Sequence, residues 1–236
     1  MPFPADDRYF RLTFANMPRM AGLLREFLPT KLVACLNLDK LRRIHEQHLQ
    51  QNLSERRDDL NLTCPVLGPC GTIHIRILVE HKSIHDPGLW RQLLNSLLAE
   101  WDESGMAPAL PIVVYTGTTP FRIESPQTLF QNLVSPLLAC QIHFPIFAID
   151  LQSCPETRIW ESPHLDAVSR IALSIMKLAQ RRDLEISTLR ALLQKFLPDV
   201  PKLRQRRLLW AAISYLQYKS LIPIETLSTL GSDMPL

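Results

Sequence analysis

Glycine is scarce in this chain, with 7 in 236 residues, and cysteine is little used. The five cysteines, Cys35, Cys64, Cys70, Cys140 and Cys154, are odd in number and include no CxxC. That argues against a disulfide framework and against a cysteine zinc site. Long hydrophobic runs are missing too. The longest uncharged apolar stretch, about Ala107 to Gly117, falls short of the roughly 20 residues a bilayer-spanning helix needs. The opening MPFPADDRYFRL lacks the apolar core of a signal peptide. A soluble cytoplasmic protein with no membrane partner is expected. Charge of one sign is also lacking. Lys+Arg total 26 against 23 Asp+Glu, a net of +3, which by itself implies no nucleic-acid partner.

Apolar content is ample. Hydrophobic residues make up 46% and charged residues 21%, which excludes a disordered or collagen-like chain. The length suits one α/β domain, or one domain with a small appendage. The 19 prolines punctuate it into short elements, with no internal repeat and no low-complexity segment.

Phe10, Phe14, Leu23, Leu24, Phe27 and Leu28 recur at helical spacing, with a break expected near Pro18. Residues 30–53 fit helix or strand equally well. From Asp59 the period changes to two: Leu60, Leu62 and Cys64 alternate with polar residues. Leu67-Gly68-Pro69-Cys70-Gly71 signals a turn, and Ile73, Ile75, Ile77 and Val79 alternate again. This predicts a β-hairpin ending near Lys82. Asp86 and Pro87 read as N-cap and first residue of a helix carrying Leu89, Trp90, Leu93, Leu94, Leu97, Leu98 and Trp101. Pro111 to Tyr115 reads as a buried parallel strand, and Phe144 to Leu151 as another. Helices are expected over about 164–182, 187–197 and 202–219.

Three residues meet at one end of the predicted hairpin. Asp59 opens its first strand, and Glu80 and Lys82 close its second. In an antiparallel pair the start of one strand lies beside the end of the other. Glu80 and Lys82 are two apart, so they leave the same face, while His81 points away. A carboxylate from each strand could hold one hard divalent cation, and Mg²⁺ takes few carboxylates and keeps several waters. A lysine beside it could orient a water or neutralise charge developing on a phosphate. The same three residues could equally form a plain salt bridge at a strand end.

The motifs DDRYFRLTF (6–14), FLPTKLV (27–33), LDKL (38–41), RRDDLNL (56–62), LVEHKS (78–83), LPIVVYTG (110–117), FAIDL (147–151) and IMKLAQRRD (175–183) stand in this order. The chain thereby resembles the recombination-promoting nuclease / putative transposase family, within the PD-(D/E)xK nuclease superfamily. The resemblance covers most of residues 6–182. It implies an α/β fold with a mixed sheet containing the hairpin, flanked by helices. It also implies metal-dependent cleavage of DNA phosphodiesters, with Mg²⁺ or another divalent cation such as Mn²⁺ as cofactor. The family's metal-binding aspartate and glutamate fall on Asp59 and Glu80. Where the family often has Gln, this chain has Lys82, the superfamily's more usual residue. The family's N-terminal His-Asp-x-x-Phe-Lys reads Asp6-Asp7-Arg8-Tyr9-Phe10-Arg11 here. Asp7 is therefore a further candidate for the site. The family's Tyr-His-Gly reads Tyr115-Thr116-Gly117. Residues 41–46 should form the first strand, and Gln92 is a candidate polar residue near the substrate. A nuclease-like core over 1–155 and a helical region over 156–236 are expected.

Lys202, Arg204, Arg206 and Arg207 put four positive charges in six residues, and Arg181, Arg182, Arg190 and Lys195 add to the same region. Such a cluster suits DNA phosphates through counter-ion release, or is simply a solvated helix face. His81 and His85 could be imagined as zinc ligands but lack a clear third partner. His45 and His48 read as surface. Trp90, Trp101, Trp160 and Trp210 are expected in the core. The stripe Leu208, Leu209, Ala212, Ile213 and Leu216 suits a helix seal or a homo-oligomer contact. The leading reading is a metal-dependent DNA endonuclease with Asp59, Glu80, Lys82, Asp7 and Gln92 at its site. The alternatives are a nuclease-fold DNA-binding or protein-interaction module without turnover, and a structural oligomer-forming protein.

Overall fold

The computed structural model describes residues 5–44, 60–66, 73–180 and 185–219. In chain order the elements are α1 (Ala5–Phe14), α2 (Met17–Phe27), α3 (Thr30–Val33), β1 (Arg42–Arg43), β2 (Leu60–Val66) and β3 (Ile73–Lys82). Then come α4 (Leu89–Ser104), β4 (Ala109–Tyr115), α5 (Pro126–Leu129), α6 (Ser135–Ala139) and β5 (Phe147–Asp150). The helices α7 (Glu156–Trp160), α8 (Ala167–Leu178), α9 (Ile186–Phe196) and α10 (Lys202–Tyr218) follow.

The five strands form one mixed sheet in the order β1-β2-β3-β4-β5. β1–β2 and β2–β3 are antiparallel, and β3–β4 and β4–β5 are parallel. This is the expected α/β architecture with a hairpin inside a mixed sheet. The β2–β3 register runs from Leu60↔Val79 to Val66↔Ile73. Parallel strands need a crossover, and α4 supplies it between β3 and β4. Ile112, Val113 and Val114 of β4 are fully buried, as a parallel strand covered on both faces should be. At the sheet edge, β1 consists of two exposed arginines. Charged side chains there discourage pairing with another chain.

The chain divides into two compact units: Leu28–Asp150, which holds the five described strands, and Met1–Phe27 with Leu151–Leu236, whose described elements are helices. This division places α1 and α2 with the C-terminal helices rather than with the sheet. Phe10, Phe14, Met20, Leu23, Leu24, Ile171, Ile175 and Met176 fill the core of that helical unit. Buried Asp6 helps close it: its carboxylate accepts the Tyr215 hydroxyl at 2.6 Å and pairs with the Lys219 ammonium at 2.7 Å. A charge can be buried there because both oxygens are matched.

Three local expectations are corrected. The break between the first helices falls at Ala15–Asn16, and Pro18 lies inside α2. The first turn tolerates it because the missing N–H has no intrahelical partner to lose. α4 begins at Leu89 with Gly88 as its cap residue, not at Pro87. Asp86 Oδ1 accepts the Gly88 N–H at 2.8 Å, so it closes the preceding turn instead. Trp210 is 63% exposed rather than in the core. The buried side of α10 is Leu208, Leu209, Ala212, Tyr215 and Leu216, and residue 210 is rotated off that stripe.

Candidate active site

β3 lies in the middle of the sheet, and its last three residues alternate faces. Glu80 sits beside Val113, and Lys82 beside Tyr115, on parallel β4. Helical spacing puts Gln92 one turn into α4, over the face that carries both. Lys82 Nζ donates to Gln92 Oε1 at 2.9 Å, and Gln92 Nε2 donates to Glu80 Oε2 at 3.1 Å. The amide must point this way, because its oxygen can only accept from an ammonium and its nitrogen only donate to a carboxylate. Three of the sequence-derived candidates are thus joined in one hydrogen-bonded chain. Glu80 is 2% exposed, while the Lys82 side chain is 20% exposed.

Sequence reasoning missed the fourth member, Asp86, whose Oδ2 lies 3.0 Å from Lys82 Nζ. Burial pushes the Asp86 carboxyl up, but the Lys82 hydrogen bond and charge, the Gly88 N–H and the nearby His85 together outweigh it. Its pKa therefore ends lowered. The i, i+4 spacing of Lys82 and Asp86 across a strand end was the signal available, and assigning Asp86 to a helix cap hid it.

His81 points to the opposite face, as expected, where Nε2 lies 3.2 Å from the Thr116 hydroxyl. Both are buried. His85 pairs instead with Glu124 at 3.4 Å. The two histidines therefore do not converge on a zinc ion. Among the described residues no group of three or more His, Cys, Asp or Glu is placed to hold a metal.

Asp59 lies outside the described residues, and the hairpin pairing is described as far as Leu60↔Val79. His45, His48, Arg181 and Arg182 also fall outside them. Asp7 is half-buried on α1, in the helical unit, whereas Glu80, Lys82 and Gln92 are in the sheet unit. Lys202, Arg204, Arg206 and Arg207 are all exposed in the first two turns of α10, which carries no acidic residue in its first turn. Cations near a helix N-terminus oppose the helix dipole, so this end of α10 is a strongly positive surface.

The family described as "Putative transposase, YhgA-like" matches residues 4–204. The chain belongs to that family. The match takes in the sheet, Glu80, Lys82 and Gln92, and runs past the 6–182 stretch on which the resemblance rested. It ends inside α10, so Lys202 and Arg204 fall within the family match and Arg206 and Arg207 beyond it. No curated protein and no solved structure matches the chain.

Proposed function

We propose that the chain is a metal-dependent endonuclease that hydrolyses DNA phosphodiesters, in a transposase or recombination-promoting role. The observation that carries this reading is the Glu80–Gln92–Lys82 chain at the end of β3. Family membership supports the transposase part of it.

The described donors suit a hard divalent cation in kind, since Glu80 offers carboxylate oxygen. In number, Mg²⁺ takes only one or two carboxylates beside its waters. Glu80 and, by hairpin spacing, Asp59 are the residues that would hold Mg²⁺ or Mn²⁺. Such a cation supplies Lewis-acid polarisation of the phosphate and a more acidic bound water. Lys82 donates toward charge developing on the phosphate oxygens. Gln92 holds the lysine and the carboxylate at a fixed separation, which is the preorganisation that makes such a donor effective. The exposed cations of α10 serve as phosphate contacts.

The test is nicking of a closed circular plasmid by the full chain, with and without Mg²⁺, for the wild type and Glu80→Ala. Mg²⁺-dependent nicking that disappears in Glu80→Ala is expected. A wild type that binds DNA but leaves the plasmid intact would overturn the reading. That outcome belongs to a second reading, a nuclease-fold DNA-binding module without turnover. The Lys82–Asp86 ion pair favours it, because a paired ammonium is partly neutralised before substrate arrives.

A further inference from the structure

A cavity of about 330 Å³ opens within the helical unit, between α1 and α10. This is within the size range of small-molecule sites. Its polar walls include Arg19, Arg204, Arg207, Asn16 and Thr13, and Tyr9 and Leu12 contribute to the rest. The lining residues of α10 are spaced i, i+3, i+4, i+7, so they share one helix face. Arg206 and Lys202 are not among them.

The charges do not balance. Arg19 Nε is paired with Asp166 at 3.0 Å. Arg204 and Arg207 have no carboxylate partner among the described residues. Among the described residues the cavity therefore presents two guanidiniums without a carboxylate partner, in addition to the matched one. Guanidinium forks suit the oxygens of phosphate, which accept them in bidentate geometry. Tyr9 is 2% exposed, and its hydroxyl has no hydrogen-bond partner among the described residues. Burial raises the pKa of that hydroxyl, so it stays protonated and able to donate. Leu12, which lines the cavity and is 53% exposed, offers an apolar surface beside the cations, as a sugar or base requires.

We propose that this cavity binds the terminal phosphate monoester of a nucleic-acid strand, with the end nucleotide against its apolar wall. Two guanidiniums with no carboxylate partner among the described residues match the doubly charged monoester better than the singly charged diester of an intact backbone. The inference rests on the reading that this chain acts on DNA. Hydrolysis of a phosphodiester leaves one product strand with such a terminal phosphate, so the cavity would hold a cleaved end.

The test measures binding of the full chain to short fluorescent single strands, with chelator present so that nothing is cleaved. Strands carrying a 5′-phosphate, a 3′-phosphate or hydroxyls only are compared. The wild type is expected to prefer one phosphorylated end by about tenfold or more. Arg204→Gln with Arg207→Gln should bring that ratio close to one. Lys202→Gln with Arg206→Gln removes the same charge outside the cavity, and should weaken all strands while keeping the ratio. Equal affinities for all wild-type strands, or a ratio lost equally in both double variants, overturns the proposal. Competition by a free deoxynucleoside monophosphate without any strand-end preference also overturns it, and assigns the cavity to free nucleotides. A clear end preference in a protein that does not nick plasmid would sink the nuclease reading alone. Nicking without end preference would sink this one alone.

Discussion

Lys82 is the residue on which the two functional readings separate. It is held from two sides, by Gln92 Oε1 at 2.9 Å and Asp86 Oδ2 at 3.0 Å. If it stabilises charge on the reacting phosphate, Lys82→Ala should reduce cleavage about 10²–10³-fold, the range for losing one preorganised donor. DNA affinity should change little, because the other cations remain. Lys82→Gln should be milder, since an amide still donates a hydrogen bond. A purely structural Lys82 gives the opposite pattern: a modestly lower melting temperature with cleavage intact, because a partly exposed ion pair contributes little stability. Single-turnover cleavage and thermal unfolding on the same preparations distinguish the two. Full cleavage by folded Lys82→Ala would remove this lysine from the mechanism.

At the scale of elements, the hairpin was legible from its strand period and its turn residues. Leu60, Leu62, Ile77 and Val79 are all buried, but so are Asn61, Leu78 and Glu80 on the other face, so burial does not repeat the alternation. The Glu80–Lys82 pair was legible from the strand period too, since residues two apart on a strand share a face. Gln92 needed the crossover helix, which a Val/Ile strand following a helical period also implied. Less local features were hidden. Nothing near Asp6 in sequence announces Tyr215 and Lys219 as its partners, so the grouping of α1 with α10 could not be read from patterns. Trp210 failed for a different reason, since an apolar residue beside an apolar stripe looks the same in sequence whether it faces in or out. Gly22 marks a further close approach between distant segments. A Cβ added there would run into the backbone carbonyl of His164, which cannot swing aside as a side chain can. Gly22→Ala should therefore destabilise the helical unit by about 1–3 kcal/mol through overpacking, despite alanine's better helix propensity. Chemical denaturation of the variant checks this, and an unchanged or raised midpoint would mean that α2 is free to shift.

For the whole molecule, a net charge of +3 is too small to draw DNA in from a distance. Affinity for a polyanion must then come from where the charges are gathered. In the sheet unit the candidate site already matches its lysine with Asp86 and its glutamate with Gln92. In the helical unit the start of α10 concentrates Lys202, Arg204, Arg206 and Arg207 in exposed positions with no acidic residue in the first turn. On the proposed reading the chemistry and the grip on the backbone fall in different units, and each can be removed while the other is measured. Replacing Arg204, Arg206 and Arg207 together by Ala should weaken binding to duplex DNA with little dependence on its sequence. The slope of log K against log salt should become shallower by roughly 0.9 for each phosphate that the variant no longer neutralises. Glu80→Ala, by contrast, should abolish nicking while leaving that slope as it is. Fluorescence anisotropy across a salt series on the wild type and both variants reads these effects together. A triple variant with unchanged affinity and unchanged slope would reduce the α10 cluster to an ordinary solvated face and place the DNA-binding surface elsewhere on the chain.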